Sequence, residues 1–96
     1  MDITARSTIV ASDALTTADF GEEAVILNLD SGKYFTVNEV GARILNIASR
    51  PIRVRDLVDR IRSEYDAPTE QLERDVLVFL EKMTRADLIR YVHETA

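Results

Sequence analysis

Residues 24–38 read AVILNLDSGKYFTVN, two apolar runs on either side of a polar, glycine-containing break. Ala24 to Leu29 is rich in Val, Ile and Leu, Asp30, Ser31 and Gly32 supply turn chemistry, and Lys33 to Val37 resumes a β-favouring run. Two such runs around a glycine-containing turn read as a β-hairpin. In the second strand, alternation puts Phe35 and Val37 on one face and Tyr34 and Thr36 on the other, so one pair enters the core while the other stays available.

Downstream, the hydrophobic period changes near Asn38. Its side-chain oxygen suits an N-cap, and Val40, Ile44, Ile47 and Ala48 then recur at helical spacing, which predicts a first helix to about Ser49. Arg50 and Pro51 break that helix. Val54, Leu57, Val58 and Ile61 form the stripe of a second helix ending around Tyr65. After the loop Asp66 to Thr69, a third helix carries Leu72, Val76, Phe79, Leu80 and Met83 on its apolar stripe and ends near Ala86. Leu88 to Val92 reads as a short terminal strand or extended tail.

Upstream, Thr8 to Ala11 is a short β-branched run. The polar stretch that follows, with Asp13, Thr16, Thr17 and Asp19, is expected to be loop or a frayed edge, so residues 1–22 are partly loop or edge strand. The expected fold is α+β and winged helix-turn-helix-like, with a three-stranded antiparallel N-terminal sheet followed by three helices in a single domain over residues 1–96.

A chain of 96 residues leaves little room for an enclosed active site beside its core. Apolar residues make up 46% of it and charged residues 30%, the balance of a folding globular protein. Twelve Lys and Arg against seventeen Asp and Glu give a net charge of −5, which opposes attraction to nucleic acid or to an anionic membrane. The absence of cysteine excludes disulfides, thiolate zinc sites and a cysteine nucleophile. With neither a signal peptide nor a spanning apolar run, a cytoplasmic location is expected.

A search for catalytic constellations finds none. His93 is the single histidine and lies near the C-terminus without an identifiable partner, where a solvated position is expected. No serine has a GxSxG context, and Gly21, Gly32 and Gly41 are too far apart for a phosphate loop. Glu70, Glu73 and Asp75 share the third helix, and Glu70 and Glu73 read as solvated acids near a helix start. No cofactor or metal is expected. Arg50, Arg53, Arg55, Arg60 and Arg62 cluster around the second helix, as in some DNA-binding domains. Asp56, Asp59 and Glu64 are interleaved with them, and an overall pI near 4.8 runs against that use.

The segment VILNLDSGKYFTVN, residues 25–38, followed by Glu39, Val40, Gly41, Ala42 and Arg43, resembles the PqqD-like pattern of a hairpin ending in a tyrosine-containing strand and an "N-E-x-G-A" helix start. Arg55 to Tyr65, LERDVLVFL at residues 72–80 and Asp87 to Ile89 resemble the family's second helix, its "D-V-x-x-F-L" third helix and its closing "G-L-[LI]" element. The resemblance runs from about Glu23 to Val92. Asp87 stands where the family usually has glycine, so the final turn is the place where its geometry needs checking.

The resemblance implies a recognition element for the leader segment of ribosomally made, post-translationally modified peptides, with no chemistry of its own. In that family the leader docks as an extra strand on the edge of a three-stranded sheet, in a groove between the third strand and the third helix. An open edge also suits this role physically, because main-chain hydrogen bonds give affinity while pockets select side chains. On this strand the expected contacts are Tyr34, Phe35, Thr36 and Val37. On the third helix, Gln71, Asp75, Val78 and Lys82 share a stripe beside the core positions, with Phe79 at its border.

Two readings stand for Asp75, a contact to the leader or a bond to a neighbouring loop. Val78 lines the groove or is one of the scattered valines of a normal surface, and the opposite flank with Leu77 is its rival. Stand-alone members of the family occur in lasso peptide pathways, with a separate leader peptidase and an ATP-dependent cyclase as partners, and in pyrroloquinoline quinone biosynthesis, with a radical enzyme. The alternatives are a chaperone of pyrroloquinoline quinone biosynthesis and a winged-helix DNA-binding or adaptor protein. The overall character of the chain, with its long segment before the hairpin, points to the lasso pathway.

Overall fold

In the computed structural model, which describes residues 3–66 and 68–92, the elements run β1 (Thr8–Ala11), β2 (Leu15–Asp19), β3 (Glu23–Asn28), β4 (Tyr34–Asn38), α1 (Glu39–Ile47), β5 (Ile52–Arg53), α2 (Val54–Glu64), α3 (Thr69–Arg85) and β6 (Ile89–Val92). The 24–38 hairpin forms as the sequence predicts, with Ile26 opposite Phe35 and Ala24 opposite Val37. Its turn uses Gly32 in the left-handed region at φ 73° and is closed by the Asn28 side chain, whose Oδ1 accepts from the Asp30 and Ser31 amides at 2.9 and 3.3 Å.

A three-stranded antiparallel sheet is present, and one of its strands decides between two readings. Leu15–Asp19, read as loop or a frayed edge, is an edge strand and pairs with β3 from Leu15 opposite Asn28 to Asp19 opposite Ala24. Four of its five residues are exposed, so it carries no apolar alternation to be read. The sheet order is β2-β3-β4, which leaves β4 as the other edge. Thr8–Ala11 joins a second three-stranded sheet, of order β5-β1-β6, in which the terminal run after α3 is the strand β6. The likeness to a winged helix-turn-helix is therefore loose.

The helices bury the stripes that their spacing predicts. Ile44, Val54, Leu57, Ile61, Val76 and Leu80 are at most 2% exposed and meet Ile9 and Ile26 of the two sheets. α2 begins without a side-chain cap, and its first amides are taken by the chain before β1 instead: Val54 N–H donates to the Ser7 carbonyl at 2.8 Å and Arg55 N–H to that of Ala5 at 3.0 Å. No helix among the described residues is long and apolar enough to cross a membrane.

α3 ends in a Schellman motif. Leu88 N–H donates to the Met83 carbonyl at 2.9 Å and Asp87 N–H to that of Thr84 at 3.1 Å, with Asp87 held at φ 62° and the Leu88 and Met83 side chains both buried. The last turn thus has the left-handed geometry that favours glycine, and an aspartate adopts it.

Candidate functional site

The phase of the hairpin ladder decides which groups of β4 are open. Asn28 N–H donates to the Lys33 carbonyl at 2.9 Å and Phe20 N–H to that of Glu23 at 2.8 Å, so even-numbered residues of β3 bond to β4 and odd-numbered ones to β2. Phe35 and Val37 accordingly exchange bonds with β3. The amides and carbonyls of Tyr34 and Thr36 point to the unpaired edge, where a peptide could add as a strand.

Side chains follow the same alternation. Val37 is buried and Phe35 half-buried on the inner face, while Thr36 is exposed and Tyr34 is 72% exposed on the outer face. The next residue links strand to helix: the Asn38 side chain accepts from the Gly41 amide at 2.8 Å, so β4 passes into α1 without a loop.

Beside the end of β4, a groove of about 420 Å³ opens between α1 and α3, with the end of α2 at one side. Four of the residues singled out on α3, Asp75, Val78, Phe79 and Lys82, line it together. Gln71 is exposed and does not line it, and the four strand residues Tyr34 to Val37 form the adjoining edge rather than the groove wall. Leu77, the rival of Val78, is half-buried against the core and outside the groove, whereas Val78 is 48% exposed within it.

The sequence reading misses the other wall. Asn38, Val40 and Gly41 at the start of α1 and Tyr65 at the end of α2 line the groove, and Leu72 and Val76, read as core alone, also form its base. The one signal that bears on this wall is Gly41 within the "N-E-x-G-A" run, a glycine in a helix with no turn to explain it.

The side chains of Asp75 and Lys82 are exposed and form no hydrogen bond or ion pair with the described residues. They stand seven positions apart, two helical turns, with Phe79 between them, so a carboxylate and an ammonium flank an aromatic ring along one stripe. The bond from Asp75 to a neighbouring loop, one of its two readings, does not form among the described residues.

Elsewhere some charges are paired. Arg43 on α1 makes a two-pronged bridge to Glu64 on α2, at 2.7 and 2.9 Å, which raises the arginine pKa and lowers that of the glutamate, chiefly through the hydrogen bonds between them. Arg62, one of the cluster around α2, lies 3.2 Å from Asp59. A larger hollow of about 590 Å³ lies between β2 and α1; Asp13, Asp19, Glu23 and Glu39 line it, and it contains none of the residues expected to contact a peptide. Among the described residues there is no group of three or more His, Asp or Glu placed to hold a metal. His93 lies outside the described residues.

Two solved structures share this fold. The structure of TbiB1 in complex with the TbiA(beta) leader peptide is 32% identical and superposes with a TM-score of 0.74, covering 88% of this chain and 99% of that one. A lasso peptide synthetase B1 complexed with its leader peptide superposes with a TM-score of 0.70 at 20% identity, over 85% of this chain and 96% of that one, which is a likeness of fold. No curated protein matches the sequence. The family model described as coenzyme PQQ synthesis protein D matches residues 23–89, from the start of β3 to the start of β6. The chain belongs to the PqqD family.

Proposed function

We propose that this protein binds the leader segment of a ribosomally made precursor peptide as an added strand on the open edge of β4. Side chains of that peptide enter the groove walled by α1 and α3. The observation that carries the reading is the adjacency of an unpaired strand edge and a lined groove, built by consecutive residues through Asn38. Backbone pairing alone would accept any extended peptide, and the groove supplies the selection. The 32% identity to a protein solved with a leader peptide supports the same occupant.

The protein acts by binding, with Asp75, Val78, Phe79 and Lys82 contacting the leader from α3 and Tyr34, Phe35, Thr36 and Val37 forming the docking strand. Gln71, one turn before Asp75, extends the α3 rim towards the helix start. The bound peptide passes to a separate leader peptidase and ATP-dependent cyclase of a lasso pathway. The family description names the quinone pathway, so the choice between the two pathways is made by which precursor the protein binds.

Calorimetric titration with a synthetic lasso leader, in parallel with a precursor of the quinone pathway, tests this. Saturable one-to-one binding with Kd between micromolar and nanomolar, about −8 to −12 kcal/mol, is expected for the lasso leader. The Asp75→Ala and Phe79→Ala proteins should bind it more weakly. Binding of neither peptide by the folded protein would defeat the proposal, and preference for the second would move it to the quinone pathway.

A further inference from the structure

Gly41 is the third residue of α1, where glycine costs about 1 kcal/mol relative to alanine. Its backbone does not explain its presence, because positive φ among the described glycines occurs at Gly21 and Gly32 only. Space does. A Cβ at position 41 would lie 2.9 Å from Cε1 and 3.1 Å from Cζ of Phe79, and 3.1 Å from Cβ of Val37. These contacts are closer than normal carbon packing of 3.5–4.0 Å.

The two neighbours differ in what they can yield. Val37 is buried, and its Cβ is fixed to the backbone of β4. The Phe79 atoms are the far end of a half-buried side chain, and the ring borders the groove. A methyl group at position 41 is therefore accommodated by the ring, which is pushed off α1 into the space it lines.

We propose that Gly41 is a positioning residue for the peptide site: lacking a Cβ, it lets the Phe79 ring seat against α1 and Val37 and so keeps the groove open for an incoming side chain. This rests on the leader-binding reading. Gly41 acts through Phe79 and needs no contact with the peptide itself.

A double-mutant cycle tests it, with leader affinity and melting temperature measured for the wild type, Gly41→Ala, Phe79→Leu and the double variant. Leucine lacks the two ring atoms that the new methyl would meet. Gly41→Ala should raise Kd by at least tenfold in a protein that still melts cooperatively, the tight contact with Val37 lowering the melting temperature in both backgrounds, and should change Kd by less than twofold when Phe79→Leu is also present.

Unchanged affinity in the single variant, or an undiminished loss in the Phe79→Leu background, would overturn the proposal. A readout without peptide accompanies the cycle: proton NMR contacts between the Phe79 ring and the Val37 methyls should weaken in Gly41→Ala. If the wild type binds no leader, the functional reading fails, while persistence of those ring contacts in Gly41→Ala would separately refute the positioning role.

Discussion

The Asn28 carboxamide donates to the main-chain carbonyl of Asp87 at 3.3 Å, across 59 positions of sequence, and so ties the β3–β4 turn to the turn that ends α3. Asn28 is 4% exposed, and the same side chain closes its own turn through the Asp30 and Ser31 amides. One buried amide thus serves both the docking strand and the helix that walls the groove beside it.

Replacing Asn28 with alanine leaves two turn amides and a carbonyl without their partner. The cost should be about 1–3 kcal/mol, the usual penalty for stranded polar groups. Urea unfolding of Asn28→Ala should show it as a lower midpoint with an unchanged slope.

Asp87 offers the opposite outcome. At φ 62° a non-glycine residue is strained by about 1–2 kcal/mol, and glycine relieves this at an entropic cost of about 0.5–1 kcal/mol. Asp87→Gly should therefore stabilise the protein slightly, raising the melting temperature by a few degrees, since about 1 kcal/mol corresponds to roughly 4–8 °C in a domain of this size. Calorimetry on the two proteins decides it; a lower melting temperature would mean that the aspartate side chain contributes more than its strain removes.

The Arg43–Glu64 bridge predicts a pH dependence. Glu64 has its pKa lowered in the folded state, so its contribution is complete above the ordinary glutamate value near ~4.3 and disappears as pH falls through the lower folded value. Both side chains are about one-third exposed, so the effect is small and salt-sensitive. Melting curves of the wild type and Arg43→Met should differ near neutrality and converge in strong acid.

Val78 is exposed enough to change without harm to the fold. Val78→Asp should weaken leader binding by about tenfold, or ~1.4 kcal/mol, by placing a carboxylate in the groove, while stability stays within about 0.5 kcal/mol of wild type. Leu77→Asp should do the reverse and lower stability first, because Leu77 packs against the core. Parallel affinity and melting measurements separate the two flanks of α3.

These residues also show where sequence reading succeeds. Periodicity locates the helices and the hairpin because their apolar stripes are buried as spaced, from Ile44 through Leu57 to Leu80. It fails for β2, whose residues LTTAD gain their order from backbone bonds to β3 and bury little. It also cannot bring β1 between β5 and β6, since those pairings span most of the chain and depend on tertiary packing. On the site, the α3 stripe is legible because one helix presents it. The α1 wall is not, because Val40 and Gly41 come beside the α3 residues only after the chain has folded back.

Residue-resolved hydrogen exchange, with and without saturating leader peptide, tests strand addition most directly. The amide of Thr36 points to the open edge and that of Phe35 is already bonded to β3. Leader binding should slow exchange at Thr36 at least tenfold and change Phe35 far less. A leader that saturates the protein while Thr36 exchanges as fast as before would contradict docking on the β4 edge.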